Sequence, residues 1–388
     1  MTRNLRLVAL SLLIWGFGEG MFIYFQPLYL SELGADPAEI GGILGLAAVG
    51  MLVSHIPAGA LADHIGRKNL MVASWALGMI AAGMMALAHR LPLFVAGLVL
   101  YSFTAFVMSP MSSYITQARG AWSPARALTT VTAGFSAGMI LGPVIGGQWA
   151  EQFGLRSVYL MAAGIFVVST ILILPIHPQP VEPKGDSRRY QALLGNRRLG
   201  GFLALVFLIN FALYLAWPLT PNYLQEVHAV SVSQIGMLGA FTGFGVVVFN
   251  LALGRMRAKR GLLIGQALVA GAALALWRGQ GMGLFAVGYF LFAGFRTSRS
   301  LITAAIHGLV SPAELGLAFG TNEAVAAGSM MAAAPVAGLL FTRSAELPYP
   351  VGIGLIALAV VLSAAFAPSE QVEITPEPPG ERGIVGGV

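Results

Sequence analysis

Twelve stretches of mostly apolar residues follow one another along this chain, and no other feature constrains its fold so strongly. They cover residues 7–30, 40–62, 70–88, 93–114, 128–150, 158–176, 199–219, 235–253, 262–277, 283–306, 316–341 and 351–366. About 20 such residues are needed for a helix to cross the hydrocarbon core of a bilayer, and inside it the helix satisfies its own backbone polar groups. The pattern predicts an all-α integral membrane protein with twelve transmembrane helices. Only 10% of the residues are charged, against about 25% in ordinary soluble domains. The opening "MTRNLRLVALSLLIW" has the basic-then-apolar order of a secretory signal. Its apolar run passes the usual limit of about 15 residues and shows no small-residue cleavage site, so the first helix is expected to stay.

The polar stretch "HPQPVEPKGDSRRYQALLGNRR" divides the spans into six and six. The expected organisation is an N-terminal bundle (1–176), a cytoplasmic linker (177–198) with a short interfacial helix near 190–194, a C-terminal bundle (199–368), and a disordered cytoplasmic tail (369–388). Orientation follows from Lys and Arg, which accumulate on the cytoplasmic side. With the N-terminus inside, sixteen fall in inner segments and four (Arg90, Arg156, Arg278, Arg343) in outer loops. Both termini are therefore expected in the cytoplasm, with the chain multi-pass in the plasma membrane. The net charge of +6 is spread between apolar runs instead of forming a nucleic-acid patch. Cysteine is absent, which excludes disulfides, thiolate metal sites and thiol nucleophiles. No GxxxxGK[ST] loop exists for an ATP-driven pump, the six histidines are scattered, and neither an enzyme nor a cofactor or metal is expected.

The two sets of six repeat one another. "PLYLSELGA" from Pro27 recurs as "PNYLQEVHA" from Pro221, with five identities in nine residues; Gly59 and Gly66 are matched by Gly254 and Gly261; "PVIG" from Pro143 returns as "PVAG" from Pro335. Internal repeats of this kind mark secondary transporters, whose sites lie between the repeats near the bilayer midplane.

After the second span, "GALADHIGRK" places Gly59, Asp63, Gly66, Arg67 and Lys68 in a tight, charged loop. Its glycines permit a turn and close helix contact, and Asp63 can cap a helix end or pair with Arg67 or Arg119. In the fifth span, "GMILGPVIGG" gives Gly138, Gly142, Gly146 and Gly147 with Pro143. Those residues make a smooth, bendable face on which packing can slide. The loop resembles the signature loop of the major facilitator superfamily, and the fifth-span motif resembles one found in that superfamily's drug/proton antiporters. The resemblance covers essentially the whole chain. It implies two pseudo-symmetric six-helix bundles, alternating access, a conformational gate at these two motifs, and a central cavity lined by helices 1, 4, 7 and 10. There are departures: His64 follows Asp63 where the family usually has Arg or Lys, Ala258 stands at the counterpart of Asp63, and the fourth span lacks the arginine that exporters of this type commonly carry.

Ionisable groups within spans cost about 2.5–3.5 kcal/mol on insertion scales and usually face a cavity, with a partner and a function. Here they are Glu19 on helix 1, Arg296 and Arg299 on helix 10, and Glu323 on helix 11. Their depths suggest two pairs, Glu323 with Arg299 and Glu19 with Arg296. Helical spacing sets Trp15, Phe22 and Gln26 near Glu19, aligns Asn210, Tyr214 and Trp217 on helix 7, and offers Tyr101, Thr104 and Met108 on helix 4. As a set they suit a lipophilic or aromatic substrate better than a sugar, which would need more hydrogen-bonding side chains. Glu19 could carry a proton, its affinity changing as the cavity joins it to Arg296 and parts it again; alternatively the two form a fixed ion pair. The leading expectation is proton-coupled export of small amphiphilic compounds by a monomer in the lipid bilayer. The alternatives are an importer or facilitator whose Arg296 and Arg299 bind an anionic group, and a non-transporting receptor.

Overall fold

A chain that must hide its backbone polar groups from lipid folds as helix wherever it crosses, and the computed structural model of this protein is helical throughout its spans. The structure describes residues 1–179, 196–310 and 314–368; of these, 55–64, 109, 125 and 316 are described by their backbone alone. The expected interfacial helix at 190–194 and the tail at 369–388 lie outside the described residues.

The spans are α1 (Arg3–Ile23, continued by Gln26–Glu32), α2 (Pro37–Ile65), α3 (Arg67–Leu87), α4 (Leu91–Phe103, a 3-10 turn Thr104–Val107, then Met108–Ala118), α5 (Pro124–Phe153) and α6 (Leu155–Ile173). The second half follows as α7 (Arg197–Leu215, continued by Thr220–His228), α8 (Val232–Leu253), α9 (Ala258–Arg278), α10 (Met282–Phe292, then Gly294–His307), α11 (Leu315–Arg343) and α12 (Pro348–Phe366). Among the described residues ten helices are long and apolar enough to cross a membrane, and an eleventh appears when the two parts of α4, bent by 42°, are joined. The remaining span is α10, interrupted at Ala293 and carrying both mid-span arginines.

The interrupted spans are α1, α4, α7 and α10, the first member of every helix triplet. Proline helps to break two of them: Pro27 opens the second part of α1 and Pro221 the second part of α7. The seventh helix extends to His228, well past the 219 expected from hydropathy, because "PNYLQEVH" continues it after the break. Broken helices in a membrane are tolerated where they face protein or a cavity.

We call the face that carries Arg3 the terminal face and the opposite one the distal face. The halves meet through small residues on the distal side. A Cβ built on Gly45 of α2 would lie 2.9 Å from Pro335 Cγ of α11, and one on Gly236 of α8 would lie 3.0 Å from Gly147 Cα of α5. Three hydrogen bonds reinforce this end: Asn222 Nδ2 donates to the Pro27 carbonyl (3.4 Å), and Ser231 Oγ and Ser233 N–H both donate to Glu151 Oε2 (3.1 Å each). Nearer the terminal face Gly320 and Gly328 of α11 have nothing within 4 Å of an added Cβ, so the tight contact made by Gly45 with Pro335 is not repeated at those two positions. The close contacts between the halves are thus concentrated toward the distal face.

Candidate functional site

Glu19 owes its position to the glycines around it. A Cβ on Gly18 would meet Phe166 of α6 at 2.8 Å and one on Gly20 would meet Pro143 of α5 at 3.0 Å, while Gly16 touches the Phe135 backbone. "WGFGEG" therefore lets α1 approach α5 and α6 closely, with Glu19 on the side of the helix shared with Trp15 and Phe22. Glu19 is only half-buried although it sits in mid-span. Tyr101 of α4 and Trp15 of its own helix interact with it, and it feels the charge of Arg296 across the cavity.

Arg296, three residues into the second part of α10, is exposed. Arg296 is near enough to Glu19 and Tyr24 of α1 for its charge to bear on both, which sets it on the side of α10 toward the N-terminal half. It does not reach salt-bridge distance of Glu19. Arg299, one turn further on, does form an ion pair, with Glu323 of α11. Both groups keep partial exposure, 26% and 39% of their side chains. Arg299 is thereby neutralised inside the C-terminal half, so the twin-arginine anion clamp considered for an importer is not assembled: of the two arginines, only Arg296 faces the cavity uncompensated at contact distance.

The aromatic residues divide differently from the expectation. Trp15 stacks on Phe166 (4.1 Å between centroids) and packs near Trp75 and Tyr101, and Phe22 packs against Tyr101, Tyr159 and Phe166. Phe22 is fully buried and Trp15 nearly so. As cavity-lining residues these two are corrected: they are the interior of the N-terminal bundle, placed there because α1 turns its aromatic side to α4 and α6. Tyr101 belongs to the same stack yet reaches Glu19. Thr104 is half-buried, its hydroxyl bonded to the Tyr101 carbonyl (2.7 Å) and its own carbonyl taking a bond from Ser74. Gln26 is buried in the distal part of α1, and Met108 is exposed at the start of the last part of α4.

On α7, Tyr214 and Trp217 are half-buried beside α10, Tyr214 against Phe295 (5.9 Å) and Trp217 stacked on Phe292 (3.5 Å). Asn210 is buried; its Nδ2 donates to Val206 O, and its Oδ1 has no partner. The sequence reading passed over Tyr24, which leaves the break in α1 and meets Trp217 and Tyr289 of the other half. Pro27, three residues later, was the available signal that α1 is interrupted there.

The gate residues also separate into two groups. Gly66, with φ 81°, turns the chain from α2 into α3, and Arg67 and Lys68 follow as the first helical residues. Arg119 caps the last part of α4 on the same terminal face. The side chain of Asp63, like the surroundings of Gly59, lies outside what the structure describes. The α5 motif faces two neighbours. An added Cβ on Gly138, Gly142 or Gly146 would overlap the backbone of α1 in the same half, Gly147 touches α8 in the other, and Pro143 lies against both. The three glycines spaced by four therefore pack within the N-terminal bundle, and Gly147 packs against the other half.

Twelve helices in two six-helix sets, with interrupted helices and mid-span charges in both sets, define a secondary transporter. The chain belongs to the major facilitator superfamily, whose sequence profile matches residues 8–216 and 202–386. It is similar to the multidrug resistance protein MdtG of Citrobacter koseri, with 27% identity over 66% of this chain; the matched region spans 66% of that relative's length. It is also similar to the quinolone resistance protein NorA of Staphylococcus aureus, with 22% identity over 93% of this chain and 96% of NorA. In fold it resembles the crystal structure of the nucleoside transporter NupG (TM-score 0.77, 15% identity, 94% of this chain and 98% of NupG). The human organic anion transporter MFSD10 is a more distant match, with TM-score 0.68, 16% identity, and coverage of 94% of this chain and 100% of MFSD10.

Proposed function

We propose that the protein exports small amphiphilic or aromatic compounds across the plasma membrane in exchange for protons, by alternating access and as a monomer. The observation that carries this reading is the placement of Glu19 and Arg296, a carboxylate in mid-span on one half and a guanidinium in mid-span on the other, outside salt-bridge distance of each other. Rocking of the halves changes their separation, and a carboxylate near a guanidinium holds its proton less tightly than one alone in an apolar site. One motion then exposes the site to the other side and changes the proton affinity of Glu19. The half-buried aromatic residues Tyr214 and Trp217 of α7, with Tyr24 beside Trp217, bring apolar ring surface and few hydrogen-bonding groups, which favours lipophilic cargo. The names of MdtG and NorA support the same cargo class.

With both termini in the cytoplasm, the cavity opens inward, the state in which an exporter loads. An epitope tag on the C-terminus is expected to be accessible only from the cytoplasmic side; accessibility from outside alone would reverse the orientation. The function itself is tested in inside-out vesicles with an imposed pH gradient, acid inside. Fluorescent amphiphilic cations are expected to accumulate and to leave when the gradient is collapsed, and accumulation indifferent to the gradient would overturn proton coupling.

A further inference from the structure

Helix α1 breaks at Tyr24 and Phe25, and both side chains at the break cross to the other half. Phe25 is fully buried, and a Cβ on Gly236 of α8 would lie 3.2 Å from its ring. Tyr24 lies over Gly239, where a Cβ would stand 2.8 Å from two of its ring carbons. Its ring is 6.5 Å from that of Trp217 on α7, at 80°, and 6.3 Å from that of Tyr289 on α10. Its side chain interacts with Thr242 of α8 and with the charge of Arg296. Tyr24 thus touches α7, α8 and α10 together, although it belongs to α1.

Its level matters. Tyr24 stands five residues beyond Glu19 toward the distal face, about 7.5 Å at 1.5 Å per residue. Tyr289 stands seven residues from Arg296 in the same direction, about 10 Å. The ring is half-buried, with one side against Gly239. It therefore lies between the level of the two charges and the distal face, in the contact between the halves. We propose that Tyr24 is the plug of the distal gate, seated in a notch that exists because position 239 has no side chain. Opening to the distal face requires the ring to leave the notch, and closing requires the notch to be empty. This inference rests on the alternating-access reading. It goes beyond the α5 glycine motif because it assigns the closure to one side chain and the backbone position that receives it.

The chain has no cysteine, so introduced thiols report without background. In the full chain reconstituted in liposomes, spin labels at Ser31→Cys and Gln225→Cys, repeat-related and exposed at the distal ends of α1 and α7, measure the separation of the halves. Wild type is expected to show a short-distance population, Gly239→Ala to lose it, and Tyr24→Ala combined with Gly239→Ala to regain it. Persistence of the short distance in Gly239→Ala, or a double variant as open as the single one, would overturn the proposal; the latter outcome would point to Pro143, whose Cβ is 3.0 Å from the same added atom. A second measurement covers the case in which Gly239→Ala does not fold. Thr242→Cys, buried in wild type, is expected to react at least tenfold faster with a membrane-impermeant thiol reagent on the distal side once Tyr24→Ala is added, and an unchanged rate overturns the plug. Failure of wild type to transport any amphiphile would count against the exporter reading and leave these distances as they are.

Discussion

Glu19→Gln is expected to abolish gradient-driven accumulation, to the level of vesicles without the protein, while substrate still binds and the protein still folds. The substitution keeps the shape of the side chain and its capacity to hydrogen-bond, and removes the exchangeable charge. The rival account, a permanent Glu19–Arg296 ion pair, expects a different loss. Stranding one member of a buried pair costs about 3–5 kcal/mol, because the remaining charge has neither partner nor water. Arg296 is exposed to the cavity and out of salt-bridge contact with Glu19, so water can take over its solvation and that cost should not arise. Thermal melting therefore separates the accounts. The single variant is expected to melt close to wild type, and Glu19→Gln with Arg296→Gln is expected to remain uncoupled. A large fall in melting temperature that the double variant repairs would establish the fixed pair, and full pH-driven transport by Glu19→Gln would sink the proton role.

Gly142→Val is expected to prevent accumulation of folded protein, and Gly142→Ala to lower its melting temperature strongly. The added Cβ would overlap the backbone of α1 around Phe17 and Gly20. Overpacking usually costs about 1–3 kcal/mol when side chains can move aside; here a helix backbone would have to shift, which puts the expected cost at the upper end of that range or beyond. Gly134→Ala, nearer the terminal face on the same helix, meets its nearest atom at 3.4 Å and serves as the neutral control. Gly147→Ala offers the sharper comparison. Its Cβ would lie 3.0 Å from Val232 O and 3.1 Å from Gly236 Cα of α8, so it should disfavour the distally closed state and leave the fold of the N-terminal half intact. Equal losses of melting temperature for Gly142→Ala and Gly147→Ala would refute the division of the α5 face into a fixed and a moving contact.

The chain's apolar runs, its charges and its repeat were readable along one dimension. Apolar length determined the number of crossings, since lipid leaves a backbone no alternative to helix. The repeat determined two similar halves, and insertion cost made Glu19, Arg296, Arg299 and Glu323 conspicuous before any coordinates. Pairing, facing and interruption depended on tertiary structure. A membrane helix is apolar on all sides, whether a side meets lipid, a neighbouring helix or the dry part of an interface, so periodicity does not say which side is which. Trp15 and Phe22 could be assigned to a bundle interior, and Tyr24 to the contact between the halves, only after α4, α6, α7 and α10 were in place. The glycines of α5 announced close contact but not with whom; α1 takes Gly138, Gly142 and Gly146, and α8 takes Gly147. Composition and order along the chain set how many helices there are and how deep each charge lies, whereas the partner of each face is decided by which backbones can approach within reach, and that is a property of the assembled bundle alone.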